Sequence, residues 1–129
     1  MTTQFAPFLA SYIETALWSS SDDAGIPLDD SKYADAELAE PTIERMKADC
    51  ERFETEYRKL TSGLDDSVLR SFPPDSHIPH DFWLTRNHHG AGFWDGDYPE
   101  PIATQLTDLA HTYGECDLYV GDDGKFYLA

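Results

Sequence analysis

Basic residues are what this chain lacks most. Nine Lys and Arg stand against 25 Asp and Glu in 129 residues, a formal net charge of −16. That is about twice the upper end of the ~2–8 usual for a small soluble domain. The deficit is not confined to a tail, since residues 1–64 carry 13 acids and 6 bases and residues 65–129 carry 12 and 3. Phosphate neutralisation requires Lys and Arg, so the balance argues against direct nucleic-acid binding.

Other shortages narrow the reading further. There are two cysteines, Cys50 and Cys116, far apart in sequence. Neither has the close partner of a zinc knuckle. One disulfide is formally open, and reduced thiols are the expectation for a cytosolic chain. No apolar run approaches the ~20 residues of a membrane span. The opening "MTTQFAPFLASYIETALW" has no basic n-region and does not read as a signal peptide. Internal repeats, low-complexity tracts, a nucleophile elbow, a Walker loop and "HExxH" are also missing.

The remaining residues suffice for one domain over 1–129. Apolar residues make up 40% and aromatics 13%, enough for a core. Phe5, Phe8, Leu9, Tyr12, Ile13, Ala16 and Leu17 form a helical stripe, and Pro7 is tolerated in its first turn. Residues 19–32 read as a polar loop, and 34–38 as a helical turn. A second stripe runs Ile43, Met46, Cys50, Phe53, Tyr57, Leu60, after Pro41 and before Gly63. It spans fewer than three heptads, so it predicts an intramolecular packing face and not a coiled coil. Arg45/Asp49, Lys47/Glu51, Arg52/Glu56 and Glu54/Arg58 are laddered along its other side. Asp65 can cap a short helix, "DSVLRSF", that Pro73 and Pro74 end.

The pattern then changes. "DFWLT" and "GFWD" are aromatic and β-prone around "NHHGAG", which predicts a β-hairpin with Phe82, Trp83, Phe93 and Trp94 packed under the helices. A helix follows from Pro101 to Tyr113, and two strands close the chain around Asp123-Gly124. The expected class is α+β, with N-terminal helices packed on a small, mainly antiparallel C-terminal sheet of about four strands.

Three chemistries are open to these residues. Arg86, His88, His89 and Asp95 could form a proton-transfer or nucleotide site, although no nucleophile accompanies them. His77 and His80 are interrupted by Pro79, and His88 and His89 on one strand would point to opposite faces, so zinc is disfavoured. "DGDYPE" and "GDDG" do not fit EF-hand spacing, and their acids suit turns. No metal or cofactor is expected. The acidity itself serves solubility or imitates a nucleic acid. A compact chain of this length is roughly 36 Å across. Duplex DNA carries about 21 charges over that distance, the same order as −16.

"HDFWLTRNHHGAGFWDG", "LTDLAHTYGECDLYVGDDGKFYLA" and "FLASYIETALWSSSDD" together resemble a family of small acidic proteins encoded by tailed bacteriophages and related mobile elements. The resemblance covers nearly the whole chain. It brings no activity, cofactor or catalytic residue, but it implies a phage accessory protein acting in the cytoplasm of the bacterial host.

The resulting expectation is a non-enzymatic protein that binds a host or phage protein with a basic surface, as an acidic DNA mimic of anti-restriction or anti-CRISPR type. Its contacts are expected at Asp22, Asp23, Asp29, Asp30, Asp65 and Asp66. A hairpin tip holding Arg86, His88 and His89 is the second candidate surface. The alternatives are a small nucleotide-binding protein or enzyme around Arg86–Asp95, and a homo-oligomeric virion component. Oligomeric state is left open.

Overall fold

A computed structural model describes residues 5–22, 24–89 and 91–129. The chain is α+β with helices dominant. In order they are α1 (Pro7–Ser19), a 3-10 turn (Leu28–Asp30), α2 (Glu40–Thr61), α3 (Asp66–Arg70), α4 (His77–Arg86) and α5 (Ile102–His111). A two-stranded sheet follows, β1 (Leu118–Val120) and β2 (Phe126–Leu128).

The stripes lie where the spacing put them. Pro7 and Pro41 sit in the first turns of α1 and α2, where backbone N–H groups have no intrahelical partner. Tyr12, Ile13 and Ala16 of α1, Met46, Cys50 and Phe53 of α2, and Ile102, Leu106 and Ala110 of α5 are all buried. Of the predicted ladder, Arg58 pairs with Glu54 at 3.0 Å. Asp49 does not pair with Arg45, because its carboxylate turns inward to Arg86. Both cysteines are buried and unpaired.

The first hairpin is corrected by the structure. Residues 77–86 form α4, and Phe93 and Trp94 lie in a succession of turns. Eight of the ten residues of α4 are buried, Asp81 through Arg86 without a break. A helical stretch buried all round, as Asp81–Arg86 is, has no polar face, so it carries no 3.6-residue signature. Its aromatic, β-branched composition then imitates a strand. Pro79 sits in the first turn of α4 and breaks nothing. Trp94, expected beneath the helices, is 53% exposed, while Phe82, Trp83 and Phe93 are buried. The sheet among the described residues therefore has two strands instead of about four.

Helix α4 is the axis of the core. It packs against α1 and α5. Phe82 stacks on Phe53 of α2 with ring centroids 4.0 Å apart, and Phe93 also stacks on Phe53 at 5.7 Å. Such pairs add ~0.5–1.5 kcal/mol each beyond the burial of their area. The end of α4 is a Schellman closure, with His88 N–H donating to Thr85 C=O and His89 N–H to Leu84 C=O. His88 takes the left-handed position with φ 56°, a place that glycine occupies at no steric cost.

The closing strands pair antiparallel, Leu118 with Leu128 and Val120 with Phe126. Gly121 N–H donates to Lys125 C=O, so the connecting loop is three residues, Asp122–Gly124. The turn around Asp123-Gly124 is thus one residue longer than the two-residue loop that an Asp-Gly pair favours, because Gly124 takes φ 80° and forms the bulge of the longer turn. The outer side of β2 is covered, as Phe126 N–H donates to Glu37 C=O and Ala39 N–H to Phe126 C=O.

Candidate functional site

Arg86 is the most heavily bonded side chain of the expected surface, and it is not on the surface. It is 1% exposed. Its Nη1 donates to Asp49 Oδ2 at 2.8 Å and to Tyr12 Oη at 3.0 Å. Its Nε and Nη2 donate at 2.9 Å to the carbonyls of Gly114 and Tyr113, just past α5. The guanidinium also lies over the rings of Phe82 and Tyr113. Burial disfavours the cation, but Tyr12 and Asp49 outweigh it and hold Arg86 charged above its ordinary value. The planar fork thus joins α1, α2, α4 and the end of α5 in one knot. A nucleotide site built on Arg86 would require these bonds to break.

The other residues of that stretch diverge. His88 is exposed, stacks on His111 at 4.5 Å between ring centroids, and lies 3.7 Å from Glu115 Oε1. His89 is half-buried and lines a groove with Ser19–Ser21, Asn87 and Glu115–Tyr119. Asp95 accepts from Gly92 N–H at 3.3 Å and serves its own turn. No side-chain bond joins these four groups among the described residues.

Toward the other end of α4 lie His77 and His80, already considered for zinc, and Asp81, which sequence reasoning missed. Asp81 is buried and accepts from Tyr98 O–H at 2.8 Å. Desolvation pushes its carboxyl up to about 6, opposed by the Tyr98 bond and helped by Asp95. His80 Nδ1 lies 3.2 Å from Thr15 Oγ1, which already donates to Ser11 C=O, so the ring is the donor. Burial and the neighbouring His77 lower His80 below its usual value. The rings of His77 and His80 are 6.0 Å apart, and Trp18 packs on His80. Among the described residues no group of three or more His, Cys, Asp or Glu is placed to hold a metal ion.

Charge is distributed unevenly. Helix α2 carries five of the nine bases and six of the 25 acids. The rest of the chain therefore holds nineteen acids and four bases, and one of those four is the buried Arg86. The expected contact acids fall on two separate segments. Asp22 closes a loop by accepting from Ala24 and Ile26 N–H, and Asp29 and Asp30 lie exposed in the 3-10 turn. Asp65 and Asp66 lie exposed at the start of α3. Asp23 lies outside the described residues.

Two connected grooves adjoin the first of these segments, with volumes of about 750 and 620 Å³. Both are lined by Ser21 and Tyr119. Glu115 and Asp117 border one, and Asp22 and Asp122 the other. Sequence reasoning missed this trench because one wall, Ser19–Asp22 with Ala24 and Ile26, and the other, Glu115–Asp122, lie far apart in sequence. Among the described residues no helix is long and apolar enough to cross a membrane. No family model, curated protein or solved structure matches the chain.

Proposed function

We propose that this chain is a bacteriophage accessory protein. In the cytoplasm of the infected bacterium it binds a protein with a basic surface and blocks a site that would otherwise hold nucleic acid. The reading is supported by the partition of charge. Half of the chain's cations, and more, are gathered on α2 and one is buried, so the remaining surface presents its carboxylates almost uncompensated. A surface of one sign steers an oppositely charged partner into encounter and excludes nucleic acid from the same groove.

The test is affinity capture from infected cells, followed by binding of the captured protein at 50 and 300 mM NaCl with and without duplex DNA. A DNA-handling protein should be recovered. Its affinity should fall at least tenfold across that salt range, and duplex DNA should compete. Capture that yields no nucleic-acid-handling protein, or a complex that DNA leaves intact, sinks the reading.

A further inference from the structure

We propose that the open edge of β1 and the trench beside it take up an extended, cationic segment of a partner protein as an added β-strand. The inference stands apart from the proposed function, since the sign of the occupant's charge comes from the acidic rims of the trench. Its geometry comes from the backbone.

Asp117 and Ala129 exchange both of their backbone hydrogen bonds, and Gly121 N–H donates to Lys125 C=O. In an antiparallel pair the intervening residues alternate in direction. The N–H and C=O of Leu118 and Val120 therefore point away from β2. They meet no partner among the described residues. The contrast with β2 is direct, since Phe126 points away from β1 and is bonded on that side by Glu37 and Ala39. One edge of the sheet is closed and the other is unpaired, with Val120 half-buried there and Leu118, 4% exposed, lining the groove.

The opposite wall of the trench is also prepared. Ser21 forms an antiparallel bridge with Pro27, framed by Asp22 N–H to Ile26 C=O and Leu28 N–H to Ser20 C=O. That pattern turns the N–H and C=O of Ser21 away from Pro27, and they too meet no partner among the described residues. Ser21 lines both grooves alongside Tyr119, which is 45% exposed and stacked on Tyr127 at 5.9 Å. Unpaired backbone groups and an aromatic platform are what an incoming strand uses, its main chain for affinity and its alternate side chains for specificity. The charge of that strand follows from the rims. Glu115 and Asp117 line one groove with the half-buried His89, and Asp22 and Asp122 line the other with Lys32. Side chains at alternate positions of a bound strand would meet these carboxylates, which selects Lys or Arg there.

The probe is a fluorescent peptide, Lys-Val-Lys-Thr-Lys-Val-Lys, compared with its fully N-methylated counterpart, which keeps every charge but donates no backbone bond. The plain peptide should bind, and amide hydrogen exchange at Leu118 and Val120 should slow at least tenfold in its presence. The N-methylated peptide should bind at least tenfold more weakly. Val120→Pro removes one outward donor at an edge position where proline is tolerated, and should weaken the plain peptide to a similar degree. If that variant does not fold, the exchange and N-methyl measurements decide. Equal binding of both peptides, or unchanged exchange at Leu118 and Val120, overturns strand addition and leaves the acidic-surface reading standing. Failure of DNA competition in the capture experiment removes that reading without touching this one. A plain peptide that does not bind overturns the trench.

Discussion

At the scale of single residues, two buried charged groups have opposite consequences. Arg86 is fully engaged, and lysine cannot reproduce a planar fork with bonds in three directions. Arg86→Lys should therefore cost about 3 kcal/mol in urea unfolding, because Asp49 and the two carbonyls past α5 lose their donors. Asp49 is 24% exposed and can rehydrate, which keeps the loss from being larger. Asp81 has a carboxyl raised by burial to about 6 from 3.8. The folded state then holds a proton that the unfolded state has released, so the stability this group contributes is present below pH ~4 and lost as pH rises through 6. A shift of this size corresponds to roughly 2–3 kcal/mol. Asp81→Asn should match the parent at pH 4, exceed its stability at pH 7 by about 2–3 kcal/mol, and flatten the profile between. A midpoint that does not rise at pH 7 would contradict the assignment. The knot itself was hidden in the sequence for a plain reason. Arg86 lies 37 residues from Asp49 and 74 from Tyr12, and an Arg beside a His pair resembles a ligand site as readily as an interior cross-link.

At the scale of elements, legibility followed amphipathicity. Helices α1, α2 and α5 each face solvent on one side, and their apolar spacing marked them. The closing strands were legible from the turn residues Asp123 and Gly124. Helix α4 was not, since from Asp81 to Arg86 it has solvent on no side and its composition favours a strand. Its helicity is imposed by packing against α1, α2 and α5 and not by local preference. A synthetic peptide of residues 75–89 should accordingly show almost no helical signal by circular dichroism in water at 25 °C. A strongly helical peptide would mean that the local sequence alone encodes α4. The close approach behind it is equally specific. Gly92 takes φ 153°, and a Cβ there would press into Thr85 Oγ1, which accepts from Phe93 N–H. Gly92→Ala should destabilise by about 1–3 kcal/mol, read as a lower urea midpoint with an unchanged slope.

At the scale of the whole molecule, the net charge of −16 acts on the fold before it acts on any partner. Like charges on a compact body repel, and salt screens them. Thermal unfolding between 10 and 500 mM NaCl should show a midpoint higher by about 3–6 °C at the upper concentration. A midpoint that falls with salt would mean that the few ion pairs, chiefly Arg58–Glu54 and Arg86–Asp49, outweigh the repulsion. The sum of charge was readable from composition. Its arrangement was not, because it depends on which acids and bases share a helix and on Arg86 being withdrawn from solvent.

The gathering of Arg45, Lys47, Arg52, Arg58 and Lys59 on one long helix gives the molecule a pole. In the field of a cationic target it experiences a torque as well as a pull. A partner of the proposed kind would therefore meet it already turned, with α2 trailing and the carboxylate-rich remainder leading, and fewer collisions would be spent on unproductive orientations.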